Sequence, residues 1–90
     1  MKLSSEPRYS YSPKEKEVFK LLATKPRTSV SIIEQMYEDP PLNGRQIIIG
    51  VLKSLQQKVR MNREPFMIER TERAGPIPVS FWIKPTRRNS

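Results

Sequence analysis

Between Asp39 and Glu64 the chain carries Arg45, Lys53, Lys58, Arg60 and Arg63 and no acidic residue. Cations grouped without acids are suited to holding a polyanion. Glutamines are interleaved with them. Gln46 and Gln57 can each form a bidentate pair with adenine, and Arg45 can do so with guanine, where a good pair discriminates by ~1–3 kcal/mol. Glutamine is also a neutral helix former used at exposed positions, so base readout and inert surface both remain open for each. Ile49 can meet a thymine methyl group or pack against a neighbouring helix.

Other chemistry is thinly provided. The chain has no cysteine and no histidine, which removes disulfides, thiol nucleophiles, imidazole acid–base catalysis and the N/S ligands of a structural zinc site. Glu15, Glu17, Glu34 and Glu38 are accounted for by helix capping and surface pairing, and no serine has a base to support it. Ala74-Gly75-Pro76 lacks the successive glycines of a phosphate loop. The expectation is a binding protein and not an enzyme, with no cofactor and no metal.

Ninety residues make one domain with a modest core, burying about 60–65% of the surface of the unfolded chain. Seventeen Lys and Arg stand against nine Asp and Glu, a net charge of +8 and a pI near 10.2. A small domain so charged binds nucleic acid more often than an anionic membrane or an acidic protein. The opening MKLSSEPRYSY has no apolar run of a signal peptide, and no segment approaches the ~18 apolar residues of a membrane span. A cytoplasmic, nucleoid-associated protein with no membrane partner is expected.

The cations must be positioned by local structure, and Asn43 to Arg60 reads as one amphipathic helix. Ile48, Val51, Leu52, Leu55 and Val59 recur at core-facing spacing. The opposite side carries Arg45, Gln46, Gly50, Lys53, Ser54, Gln57 and Arg60. Gly50 costs ~1 kcal/mol relative to Ala inside a helix, which suggests close approach of DNA, of the first helix or of the hairpin. Asn43, with Gln46 three residues on, is the expected cap.

Before it, Ser12-Pro13-Lys14-Glu15 forms a capping box with proline at the first helical position. That first helix runs to about Ala23, with Val18, Leu21 and Leu22 inward, and Pro26 ends the segment. Thr28 to Ser31 is a β-leaning link, and Ser31-Ile32-Ile33-Glu34 is a second capping box opening a helix to about Glu38. Asp39-Pro40-Pro41 stops it, and Leu42 is expected to tuck into the core. After the long helix, residues 66–70 and 79–83 alternate apolar and polar as two strands, joined by a loop over residues 72–78. Phe66, Phe81 and Trp82 serve packing ahead of base stacking. Residues 1–11 read as a flexible arm, 12–84 as the domain and 85–90 as a basic tail.

Three helices, the third long and basic, followed by a hairpin wing make an α+β, mainly α, winged helix-turn-helix. A helix fits the major groove while a hairpin beside it reaches the backbone or the adjacent minor groove. SPKEKEVFKLLATKP, VSIIEQMYED and GRQIIIGVLKSLQQKV with a closing hairpin resemble the DNA-binding effector domain of OmpR/PhoB-type response regulators, from about Ser12 to Ile83. The resemblance implies Arg45, Gln46, Ile49, Lys53 and Gln57 on the groove side of the third helix. It also implies Arg70 and Arg73 on the wing, and a loop from Asp39 to Leu42 that can touch RNA polymerase. The receiver domain, the small N-terminal sheet and the Gly-x-Gly-Tyr ending of that family's wing have no counterpart here, so activation by phosphorylation is not implied.

The expected function is double-stranded DNA binding by a stand-alone transcription regulator or recombination accessory factor, of the kind carried by a phage or mobile element. Arg45, Lys53, Arg60, Arg63 and the wing would hold phosphates, and the protein would act as a monomer or as a dimer formed on DNA. The alternative is a winged helix that docks an acidic protein, RNA polymerase or another regulator through the same basic face.

Overall fold

The structure, a computed structural model, describes residues 3–71 and 79–86. It is an α+β fold of three helices and a three-stranded antiparallel sheet. In chain order these are α1 (Pro13–Thr24), β1 (Arg27–Thr28), α2 (Ser29–Met36), α3 (Gly44–Met61), β2 (Phe66–Arg70) and β3 (Ser80–Pro85). Among the described residues no helix is long and apolar enough to cross a membrane.

The start of α1 is set locally. Ser12 Oγ accepts from Glu15 N–H at 3.2 Å, and Glu15 Oε1 accepts from Ser12 N–H at 2.7 Å. Two helix-end donors are thereby satisfied reciprocally, with Pro13 at the position where a missing N–H costs nothing.

The second helix begins earlier than expected. Its cap is Thr28, whose hydroxyl accepts from Ser31 N–H at 3.1 Å, and the Ser31 capping box does not form. Thr28 is also the last residue of β1, paired with Ser80 of β3, so sheet pairing fixes its extended backbone and makes it the better cap. The link expected over residues 28–31 is therefore a short strand followed directly by helix. Met36 is the last helical residue.

Two local expectations around the third helix also fail. Leu42 is fully exposed, because the turn closed by Gly44 N–H to Pro41 O at 3.0 Å carries it outward. Asn43 makes no side-chain capping bond.

Strand β3 is central, with β1 on one side and β2 on the other. Phe66 faces Pro85, Ile68 faces Ile83 and Arg70 faces Phe81; Arg27 also pairs with Phe81. The expected two-stranded hairpin thus gains a third strand from the α1–α2 link. Val18, Ile32, Ile48, Leu55, Val59 and Phe66 are the fully buried centre of the core. Truncating one of the buried aliphatics to alanine costs ~2–5 kcal/mol. Phe19 and Phe66 lie 5.1 Å apart between ring centroids and join α1 to the sheet.

Residues 3–11, read in the sequence as an arm without an anchor, are fastened to the end of α3. Tyr9 N–H donates to Asn62 Oδ1 at 2.7 Å, and Asn62 Nδ2 donates to Tyr9 O at 3.0 Å. Tyr11 is buried in the core, and its hydroxyl donates to Glu64 Oε2 at 2.6 Å. Ser4 gives Glu64 two further hydrogen bonds.

Candidate nucleic-acid interface

Helix α3 has two polar faces with opposite fates. On the first, Ser54 Oγ and Lys58 Nζ donate to the carboxylate of Glu15, at 2.6 Å and 2.7 Å. Glu15 is buried. Burial alone would raise its pKa, but the hydrogen bonds from Lys58, Ser12 and Ser54 outweigh it and bring it down to about 2. Lys58 and Ser54 are therefore structural, although the sequence groups one with the basic run and the other with the outer stripe. Their task is to bolt α3 to the first turn of α1.

The second face looks into an open trough of about 1510 Å³ walled by α3 on one side and β2 and β3 on the other. Arg45, Lys53 and Arg60 stand along the helix, and Arg70 stands on the strand wall. Among the described residues no acid lines it, and no carboxylate of a described residue forms an ion pair with any of these four cations. No described carboxylate therefore offsets these cations, whereas Lys58 pairs with Glu15 at 2.7 Å and Lys84 with Glu69 at 3.4 Å.

The floor is apolar: Ile49 and Leu52 from α3, Phe81 and Val79 from the β3 side, together with Val30 and Met61. Val30 and Met61 are 58% and 42% exposed, high for apolar side chains beside a core. Thr28 and Ser29, at the start of α2, complete the wall.

Of the residues expected from sequence to face a ligand, Arg45, Ile49, Lys53, Gln57, Arg60 and Arg70 come together in this trough. Gln46 is exposed on α3 outside the lining. Arg63 lies beyond the end of α3, exposed, with a left-handed backbone (φ 53°). Arg73 lies outside the described residues. The expected close approach at Gly50 has no partner within the described protein, since an added Cβ would meet nothing within 4 Å.

Gln56 is a trough residue that the sequence reading passed over. Its Oε1 accepts from Ile68 N–H of β2 at 2.9 Å, so it also ties the helix wall to the strand wall. It stands seven residues after Ile49 and eleven after Arg45, close to both on a helical wheel, and that spacing was the available signal.

Among the described residues no group of three or more Asp, Glu, His or Cys side chains comes together to hold a metal ion. What the trough offers is charge, hydrogen-bond donors and apolar contact. Comparison of the chain with protein families, with curated proteins and with solved structures finds no match, so a functional reading rests on the geometry of this face.

Proposed function

We propose that the protein is a winged helix-turn-helix that binds double-stranded DNA, with α3 in the major groove and the β2–β3 hairpin on the adjacent backbone. The role that goes with it is a small transcription regulator or recombination accessory factor. The observation that carries the reading is the trough: Arg45, Lys53, Arg60 and Arg70 converge on one face with no acid among its described residues, while the helix-bound lysine, Lys58, is consumed elsewhere. The element order, with a short strand between α1 and α2 and a sheet ordered β1-β3-β2, supports the winged-helix description. A helix of this diameter fits a major groove, and a flanking hairpin then meets phosphates.

Arg45, Lys53, Arg60, Arg63 and Arg70 supply the phosphate contacts, which set affinity and register. If all five neutralise phosphates, the logarithm of the binding constant falls with the logarithm of salt concentration at a slope of about −4.5. Titrating a labelled duplex at increasing salt measures it. A slope near zero would remove DNA from the reading.

A second reading has its own observation in the apolar floor. Exposed Val30 and Met61 beside Ile49 and Phe81 suit an acidic protein segment carrying apolar side chains, as on RNA polymerase or another regulator. Changing Lys53 and Gln57 together to alanine separates the two, since DNA affinity retained in that variant favours the protein partner.

A further inference from the structure

We infer that the trough is also an interface between two copies of this chain, filled by the acidic, leucine-tipped turn of residues 38–42 from the second copy. Pairing of this kind covers the face to which DNA binding is assigned above. The pairing itself rests on the trough and the turn; only its effect on DNA rests on that reading.

The two surfaces match in charge and in apolar content. Arg45, Lys53, Arg60 and Arg70 stand around the trough, with no acid among its described lining residues. The turn carries Glu38 and Asp39 side by side in a chain of net charge +8. Both are exposed, and no cation of a described residue pairs with either. Among the described residues four large apolar side chains are exposed. Two of them, Val30 and Met61, line the trough, and a third, Leu42, tips the turn. Opposite charges set beside apolar groups on both surfaces give register as well as attraction.

The turn is held ready for such a contact. Pro40 and Pro41 fix their own φ angles and keep Asp39 and Pro40 out of the helical region. Gly44 N–H closes the turn on Pro41 O at 3.0 Å, and Gly44 is buried at the start of α3. A turn so fixed loses little freedom on docking. It does not enter its own trough, since Leu42 is fully exposed. Arg45, three residues after Leu42, does line the trough, so turn and trough adjoin on each chain. About a two-fold axis each turn then meets the other chain's trough, the contact is made twice, and assembly closes at two chains.

The test is sedimentation equilibrium of the full chain and of variants at exposed sites, with circular dichroism to verify the fold. Glu38→Lys with Asp39→Lys reverses the turn, and Arg45→Glu with Lys53→Glu reverses the trough. Glu6→Lys with Glu17→Lys matches the net charge of the first variant and keeps the turn. The wild type should form a dimer that weakens as salt is raised. Each reversed variant alone should pair roughly tenfold or more weakly, and their equimolar mixture should recover pairing, because each turn then faces a trough of opposite sign. Leu42→Ser should weaken pairing roughly tenfold or more, the effect of withdrawing one buried leucine side chain. Glu6→Lys with Glu17→Lys should pair nearly as the wild type does. A short duplex with room for one chain should return wild-type pairs to single chains.

A wild type that stays single at every soluble concentration overturns the inference and leaves the trough to DNA or to another protein. So does a reversed variant that pairs like the wild type, a mixture that fails to recover, a charge-matched control that falls as far as the turn reversal, or a pair that persists on the short duplex. Absence of duplex binding, with the charge swap intact, removes the DNA reading and leaves the pairing standing.

Discussion

Helix α3 carries basic residues on two faces, and only one of them keeps its charge available. On the α1 side, Lys58 lies 2.7 Å from the buried carboxylate of Glu15, and Ser54 completes the pocket. On the sheet side, Arg45, Lys53 and Arg60 look into a trough with no acid among its described lining residues. Charge counted along a sequence therefore overstates a binding surface, because a cation inside a fold can be cancelled from a distant segment. The comparison also divides labour: the first face should govern stability and the second should govern ligand binding.

Breaking the first face should have the largest effect. Removing the Glu15 side chain leaves Lys58 and Ser54 facing a void and takes away the half of the α1 capping box that its carboxylate supplies to Ser12 N–H. Loss of one partner from a buried pair costs ~3–5 kcal/mol, so Glu15→Ala should lower the urea midpoint strongly while the fraction still folded binds its ligand with unchanged affinity. Acid should reproduce part of this. Glu15 ionises at about 2 in the folded chain against an ordinary 4.5, so below 4.5 the unfolded chain takes up a proton that the folded chain refuses. The stabilisation is complete above about pH 4.5 and is lost as pH falls toward 2. Burial pushes the Glu64 carboxyl up, but hydrogen bonds from Ser4 and Tyr11 bring it below its ordinary value, which adds loss in the same direction. Denaturation followed from pH 6 to pH 2 should show stability falling over that interval; a flat profile would leave the Glu15 cluster without energetic weight.

The trough comes next. Lys53→Ala with Arg60→Ala removes two phosphate contacts, which should reduce duplex affinity at low salt by roughly 10- to 100-fold and make the salt slope shallower by about 2. Stability should move by no more than about 0.5 kcal/mol, as for exposed groups without an ion pair. An equal loss from Lys58→Ala, at full folding, would erase the distinction between the two faces.

Sequence made the first level of this arrangement readable and hid the second. The core stripe of α3 was legible because Ile48, Leu52, Leu55 and Val59 repeat at helical spacing, and all four are buried. The Ser12 cap was legible because its partner is three residues away. What escaped were contacts between distant segments. Ser54 and Lys58 lie 39 and 43 residues from Glu15, and no local pattern announces that pairing. Tyr11 belongs to no periodic run, yet a carboxylate 53 residues away draws it into the core. The start of α2 was ambiguous because Thr28 and Ser31 both qualify as caps, and sheet pairing of Thr28, invisible locally, decided it.

The strap over the end of α3 offers a smaller break. Tyr11→Phe removes the 2.6 Å hydrogen bond to Glu64 and keeps the ring in the core. A hydrogen bond to a charged group contributes ~1.5–3 kcal/mol, but Ser4 still serves the same carboxylate, so a loss nearer the lower figure is expected in chemical denaturation. Burial, and then the bond to Glu64, push the Tyr11 phenol up to about 12. The wild type should therefore lose stability as pH rises from 10 toward 12, and Tyr11→Phe should show less of that loss.

Gly50 sharpens the boundary between the two faces, since it lies in a shallow depression with Ile47, Val51 and Pro13 on the α1 side. An added Cβ would meet nothing within 4 Å, so nothing in the described protein requires glycine there. Gly50→Ala should stabilise the helix by about 0.5–1 kcal/mol by restricting the unfolded chain and improving helix propensity. Duplex affinity should stay at the wild-type value if the ligand stops at the trough. A stabilised protein that binds DNA several-fold more weakly would mean that a phosphate backbone comes against Gly50, and that the interface wraps past Gln46 onto the face now assigned to stability alone.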